Sequence, residues 1–319
     1  MENKATVLIL RIRRKIQKFC QKHSRGLGVL YKLIANLLLF VAINHLYGKT
    51  EGLPIILAGG LAVICTGIPS KYTYLASIIL TTFHLSQTSW DLVVFYLAAV
   101  LLSYLMVFRM KPEAAVITAF TPLFFHLKIP FLLPLLVGMF SNMFGIGAMV
   151  FGVLFYYFGV YVKDVVLLLS SATGGENIIA VKNVMDAFSS DSKCLLLLGA
   201  FVVAATLTYI FYHQSFDYAW YLAVLAGGLS GFLVYLGGGI LFDIQSKNLG
   251  YVITILCSML IAAVIQFFRC IIDYGSVEYI EFEDDEYYYY VKAVPKVTTI
   301  GEDFTTSSVT VEERPVKHL

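Results

Sequence analysis

The chain has 319 residues, 59% of them hydrophobic and only 14% charged, with a formal net charge of +2 and a mean hydropathy of +0.78. Soluble domains run near 45–50% apolar and about 25% charged, so a water-soluble globular protein is excluded. A disulfide scaffold is excluded by five widely spaced cysteines (Cys20, Cys65, Cys194, Cys257, Cys270), and a closed barrel by apolar runs that are continuous rather than alternating. What remains is an all-α polytopic membrane protein.

Residues 1–27 carry Lys4, Arg11, Arg13, Arg14, Lys15, Lys18, Lys22 and Arg25 against the single acid Glu2. The basic stretch is too long for a signal peptide, and no small-residue cleavage site follows the first apolar run. Ile9, Ile12, Ile16, Phe19 and Cys20 recur at helical spacing. A helix here has one apolar and one basic face, which suits a membrane surface with anionic headgroups. Nucleic acid is not an expected partner, because no aromatic stacking platform accompanies the cations.

A membrane domain over 28–272 follows. A span needs about 20 apolar residues, and the runs predict ten, near 28–47, 52–69, 72–87, 90–108, 113–127, 129–144, 146–162, 194–213, 217–242 and 249–269. The basic N-terminus is expected in the cytoplasm by the positive-inside rule, and ten crossings return the C-terminus there. Segments 52–69, 72–87, 113–127 and 129–144 are short and carry Pro54, Pro69, Pro122, Pro130 and Pro134. Proline removes a backbone donor, and unpaired backbone survives in a bilayer only where protein or a water-filled cavity covers it. Pairs of such interrupted helices point to a mid-membrane transport site; a kinked bundle with tilted helices is the alternative. The string Leu57–Leu61 recurs as Leu225–Leu229. Its glycines, with Ala148, Gly152, Gly231 and Gly237–Gly239, are expected to let helix backbones approach closely.

Polar side chains inside spans are functional candidates by default. Here they are Asn36 and Asn44 in the first span, His84 in the third, Thr121 and His126 around the fifth, Asn142 in the sixth and Gln266 in the tenth. Asn36 and Asn142 are expected to lie deepest, lining a polar path or clamping helices through a hydrogen bond. No acid sits at the centre of a span, which argues against a pump built on an embedded carboxylate. Tyr47, Tyr104, Tyr156, Tyr157, Tyr161 and Trp90 fit an interfacial aromatic belt. There is no Gly-Lys-Ser/Thr nucleotide loop, no His-Glu-x-x-His, no paired-cysteine zinc motif and no Gly-x-Ser-x-Gly elbow. The expectation is no enzyme, no cofactor and no metal site.

The interruption at 163–193 reads as a surface loop holding a short amphipathic helix with Ile178, Ile179, Val181, Met185 and Phe188 on one face, started by Thr173–Glu176. It is expected outside, or, with local inversion, as a coupling helix for a nucleotide-binding partner. The tail, 273–319, changes composition. Alternation over Val277–Phe282, acids at Glu283–Glu286 and strand formers from Tyr287 to Val294 predict a cytoplasmic β-hairpin over 277–294. The remainder, 298–319, is Thr- and Ser-rich and is expected to lack stable structure.

The acidic turn, the tyrosine run and Val291-Lys292-Ala293-Val294-Pro295 resemble the tail of uncharacterised bacterial multi-pass membrane proteins that are sometimes labelled ABC transporter permease. That resemblance carries no catalytic residues across. It implies a permease-like inner-membrane subunit passing a small or amphiphilic solute, with a nucleotide-binding or other cytoplasmic partner for energy. The rival expectation, from a different class, is a non-transport membrane scaffold for envelope or division machinery.

Overall fold

A computed structural model describes residues 12–13, 15–16, 19–20, 22–47, 53–171, 178–214, 218–242, 248–269, 278–283 and 287–293. Ile9, Thr173–Glu176, the acids at 284–286 and the 298–319 tail lie outside the described residues. The chain separates into a unit of 23–269 and a smaller one formed by 1–22 with 270–319. In the smaller unit, residues 12–13, 15–16 and 19–20 are helical, with Ile12, Ile16 and Phe19 exposed. Strands β1 (Glu278–Glu283) and β2 (Tyr288–Ala293) pair antiparallel, from Glu278 opposite Ala293 to Glu283 opposite Tyr288.

The larger unit is helical: α1 (Ser24–Tyr47), α2 (Leu53–Gly67), α3 (Thr73–Ser86), α4 (Trp90–Ser103, continued by a π turn at Tyr104–Phe108), α5 (Ala115–His126), α6 (Leu132–Phe140), α7 (Met143–Ser171), α8 (Ile178–Ser190), α9 (Ser192–Tyr212), α10 (Ala219–Leu241) and α11 (Asn248–Arg269). Among the described residues six segments, in α1, α4 with its π turn, α7, α9, α10 and α11, are long and apolar enough to cross a membrane. The chain is therefore a helical, multi-pass membrane protein. The other four expected spans are helices of 15, 14, 12 and 9 residues. At 1.5 Å per residue the shortest is about 13 Å long, under half the hydrocarbon thickness.

The prolines break the helices less than their number suggests. Pro54 and Pro134 fall in the first turns of α2 and α6, where a backbone donor has no intrahelical acceptor anyway, and Pro69 and Pro130 lie in connections. Of these five prolines, Pro122 alone stands in a helix interior.

Side-chain contacts fix the helix directions. Parallel running of α5 and α7 follows from three successive contacts: Thr118 Oγ1 donates to the Ala148 carbonyl at 2.7 Å, Thr121 meets Gly152, and the Phe125 ring stacks on Tyr156 at 3.9 Å. α4 opposes α7, because Tyr96 packs on Phe158 at one end and Val107 lies against Gly147 at the other. Opposed running also joins α9 to α10 (Ala204 with Gly231, Leu196 with Gly238) and α10 to α11 (Gly228 with Met259, Tyr235 with Tyr251). α6 runs with α9: Phe131 meets Phe201, and Gly138 meets Ala205 and Thr208.

This places Tyr47, His126, Lys163 and Asp191 at one end of the bundle, and Lys71, Arg109, Asn142 and Arg269 at the other. α8 lies at the Tyr47 end, its Val184 sharing a buried cluster with Leu92, Tyr96 and Tyr161, and its Phe188 edge-on to Tyr161 at 4.7 Å.

Two expectations about small and aromatic residues are corrected. A Cβ on Gly59 or Gly60 would meet nothing within 4 Å, while Ala58 and Ala62 beside them are buried; the second copy, Gly227–Gly228, is tightly packed against Thr208 and Met259. The repeated string therefore does two different jobs. The Gly237–Gly239 triplet stays helical, and of the three only Gly238 touches a neighbour, Leu196. Of the expected belt, Trp90 and Tyr104 are exposed, but Tyr161 is buried, the Tyr47 hydroxyl donates to the Phe155 carbonyl at 2.8 Å, and Tyr156 and Tyr157 pack against Phe125.

Gly138→Ala and Gly60→Ala separate packing from helix propensity. At Gly138 a Cβ would sit 2.6 Å from the Ala205 carbonyl oxygen, and overpacking of that kind costs about 1–3 kcal/mol. At Gly60 the space is open, so alanine gains up to about 1 kcal/mol of helix propensity. Thermal unfolding of the two purified variants in one detergent is expected to move in opposite directions.

Candidate functional site

A helix of nine residues can persist in a bilayer only if protein encloses it, because no water is present to satisfy its ends. α6 meets that condition. Leu132, Leu133, Pro134, Leu135, Val137, Gly138 and Met139 are all buried, with packing supplied by α7, α9, α10 and α11. Gly138 of α6 and Gly227 of α10 both close on Thr208 of α9, whose hydroxyl turns back to the Ala204 carbonyl at 2.7 Å. A layer of rings surrounds the start of the helix: Phe131 lies edge-on to Phe201 at 5.2 Å and to Tyr235 at 6.1 Å, and Phe201 continues to Phe125 at 6.1 Å.

The turn from α5 into α6 satisfies its own backbone. The N–H of Leu127 donates to Leu123 O at 2.9 Å, Lys128 to Phe125 O at 3.1 Å and Ile129 to Phe124 O at 3.0 Å. The N–H of Leu132 donates to Ile129 O and that of Leu133 to Pro130 O, both at 3.1 Å, and Pro134 has no N–H to satisfy. Lys128 takes a left-handed conformation (φ 58°) that closes the turn, and its side chain is exposed. A helix N-terminus ordinarily offers free N–H groups and a positive dipole end to an anion; here three of those positions are closed by the turn and by proline.

The expected polar residues fall into separate places. Asn36 is buried on α1 along a stripe with Leu39, Phe40 and Ile43. One helical turn from the end of α1, Asn44 has a buried Oδ1 without a hydrogen-bond partner among the described residues. His84 is 2% exposed in the last turn of α3, its Nε2 likewise unpartnered among them. Gln266, 5% exposed, follows Ala262 by one turn on α11, and its Oε1 has no partner among the described residues either.

Asn142 is placed differently from the sequence expectation. It is exposed in the break between α6 and α7, where its Oδ1 accepts the Gly145 N–H at 3.3 Å and its carbonyl accepts the same N–H at 2.8 Å. It acts as an N-cap, a role that asparagine favours. The apolar run over 129–144 hides this break from a hydropathy reading.

His126 is brought to His45, which no motif or local spacing marks out. Its ring meets His45 at 5.2 Å and 63°, and the Lys163 ammonium donates to the His45 carbonyl at 3.4 Å. Three basic groups thus gather where α1 and α5 end beside α7, Lys163 lying two turns before the end of α7, with no group of three or more metal-ligating side chains among the described residues. A groove among the described residues lies elsewhere, between α3, α4 and α5, and none of the seven expected polar residues lines it.

Asn142→Ala is expected to lower the unfolding midpoint of the purified protein by an amount corresponding to roughly 1 kcal/mol, and Asn142→Ser to restore most of the loss. Equal losses in both variants would remove the capping role.

No family model, curated protein or solved structure matches the chain.

Proposed function

We propose that the chain is a permease-like subunit of the bacterial cytoplasmic membrane that gives a passage to a small or amphiphilic solute, energised by a cytoplasmic nucleotide-binding or other partner when transport is active. The observation that carries this reading is α6, a half-length helix held inside a bundle of long ones beside the proline-interrupted α5. Helices of this kind are the usual building material of sites between alternating transporter halves. The tail's resemblance to proteins labelled ABC transporter permease points the same way.

In this reading the ten helices other than α8 count as crossings, α2, α3, α5 and α6 doing so as short, tilted or protein-enclosed segments. Both termini then face the cytoplasm, with the strand pair β1–β2 forming the cytoplasmic hairpin. The charge distribution supports that orientation. Arg25, Lys71, Arg109, Lys111 and Arg269 stand at one end with Glu113; the opposite end holds Lys128, Lys163, Lys182 and Lys193 together with Asp91, Asp164, Asp186 and Asp191. Basic residues favour the cytoplasmic side. α8 then lies outside, which disfavours a coupling-helix role. The helical residues near 12–20 would rest on anionic headgroups.

A second reading, a non-transport scaffold for envelope or division machinery, draws support from the sealed backbone of the α5–α6 turn and the ring layer around Phe131. A bundle filled in this way holds its shape without offering a path.

The two readings separate in one preparation. Purified protein with its native partners, reconstituted in liposomes, is expected to bring a nucleotide-binding subunit and to release a trapped amphiphilic solute when ATP is supplied on the partner's side. Reproducible lack of both a partner and flux favours the scaffold. Asp284→Cys is expected to react with a membrane-impermeant maleimide only after the cells are opened; reaction in intact cells would reverse the orientation.

A further inference from the structure

The π turn at Tyr104–Phe108 has a consequence for the surface beside it. The Arg109 N–H donates to Tyr104 O at 2.8 Å, an i to i+5 bond that widens the helix by a residue, and π turns recur at functional sites. Next to it a groove of about 580 Å³ opens between α3, α4 and α5. Its walls are Leu75 and Ile78 of α3 and Leu97 and Leu101 of α4, with Phe108 beside them. Leu75, Leu97 and Leu101 are 54%, 43% and 58% exposed, so large apolar side chains stand open along it. Behind them the Tyr74 and Ser103 hydroxyls satisfy each other at 3.2 Å, leaving the floor without a free polar group from that pair.

The groove has a charged mouth. Lys71 lines it, its ammonium 5.2 Å over the Tyr72 ring, with no ion pair to it among the described residues. Exposed Arg109 and Lys111 follow the π turn, and Pro112 lines the same end; the nearest acid in sequence is Glu113, also exposed. From Phe108 to Leu97 the wall rises about 16 Å at helical pitch, about one leaflet of a bilayer whose hydrocarbon core is about 30 Å thick. An apolar groove about one leaflet long with Lys71 at its mouth complements an acyl chain joined to an anionic headgroup.

We infer that this groove binds an anionic glycerophospholipid of the adjoining leaflet, one acyl chain lying along Leu75, Leu97 and Leu101 and the phosphate at Lys71. The cation selects the headgroup, because a phosphate gains a charge-assisted hydrogen bond from an ammonium, whereas a zwitterionic lipid gains less net attraction. The depth of the groove selects a chain rather than a headgroup alone. This inference is independent of the transport reading, since either a permease or a scaffold could carry the lipid.

The test uses the full chain in phosphatidylcholine vesicles containing a minor fraction of phosphatidylglycerol with a photoreactive acyl chain, and maps adducts by mass spectrometry. Adducts are expected on the α3 and α4 wall, displaced by unlabelled phosphatidylglycerol and not by added phosphatidylcholine. Lys71→Glu is expected to cut them several-fold. Leu101→Trp, which fills the groove from a position already exposed to lipid, is expected to abolish them, while Lys193→Glu at the opposite end leaves them unchanged. Equal labelling by a photoreactive phosphatidylcholine, or labelling indifferent to both Lys71→Glu and Leu101→Trp, would mean annular lipid only and overturn the assignment. So would a photoreactive residue at position 101 that crosslinks a polypeptide instead of lipid in intact cells.

Discussion

The bundle depends on how it houses α6. In water a nine-residue helix hydrogen-bonds its ends to solvent; in hydrocarbon each unsatisfied group costs several kcal/mol. α6 avoids that cost in two ways. Its first donors are consumed by the preceding turn, through Ile129 and Pro130, or are removed by Pro134. Its sides are covered by four longer helices. Lipid and side-chain hydrocarbon are equally apolar, so no hydrophobic force drives that coverage; close packing does. Gly138 and Gly227 let α6, α9 and α10 meet at Thr208, and Gly152 lets α5 lie on α7 with the Thr118 hydroxyl satisfied at Ala148.

The same enclosure shapes what the site can do. A half-helix with free donors at mid-membrane would bind an anionic group; the α5–α6 turn leaves few donors for one. Of the acceptors unpartnered among the described residues, Asn44 Oδ1 lies near the end of α1 and His84 Nε2 in the last turn of α3, while Gln266 Oε1 lies on α11 one turn past Ala262, which packs against α6. His45, His126 and Lys163 gather at the Tyr47 end of the bundle.

The long helices were legible because an uninterrupted apolar run of twenty residues has one stable form in a bilayer. The short ones were legible as helices but not as to their surroundings, since Leu132–Met139 reads alike whether lipid or protein covers it. Hydropathy could not show the two-residue break at Ser141–Asn142, so a helix cap passed for a deep polar residue. Nor could local sequence distinguish Gly59–Gly60, which meet nothing, from Gly227–Gly228, which meet Thr208 and Met259. The His45–His126 contact joins residues 81 positions apart, and no local spacing encodes it.

The packing described encloses α6 at every position except the half-buried Leu136 and Phe140. Labelling with a small apolar diazirine dissolved in the bilayer of the reconstituted protein tests it most directly, with adducts read residue by residue. Heavy labelling is expected on the exposed faces of α1, α4 and α10, at residues such as Leu37, Leu102 and Leu233, and none at 132–135 or 137–139. Labelling of these α6 positions at the level of those faces would contradict the enclosure.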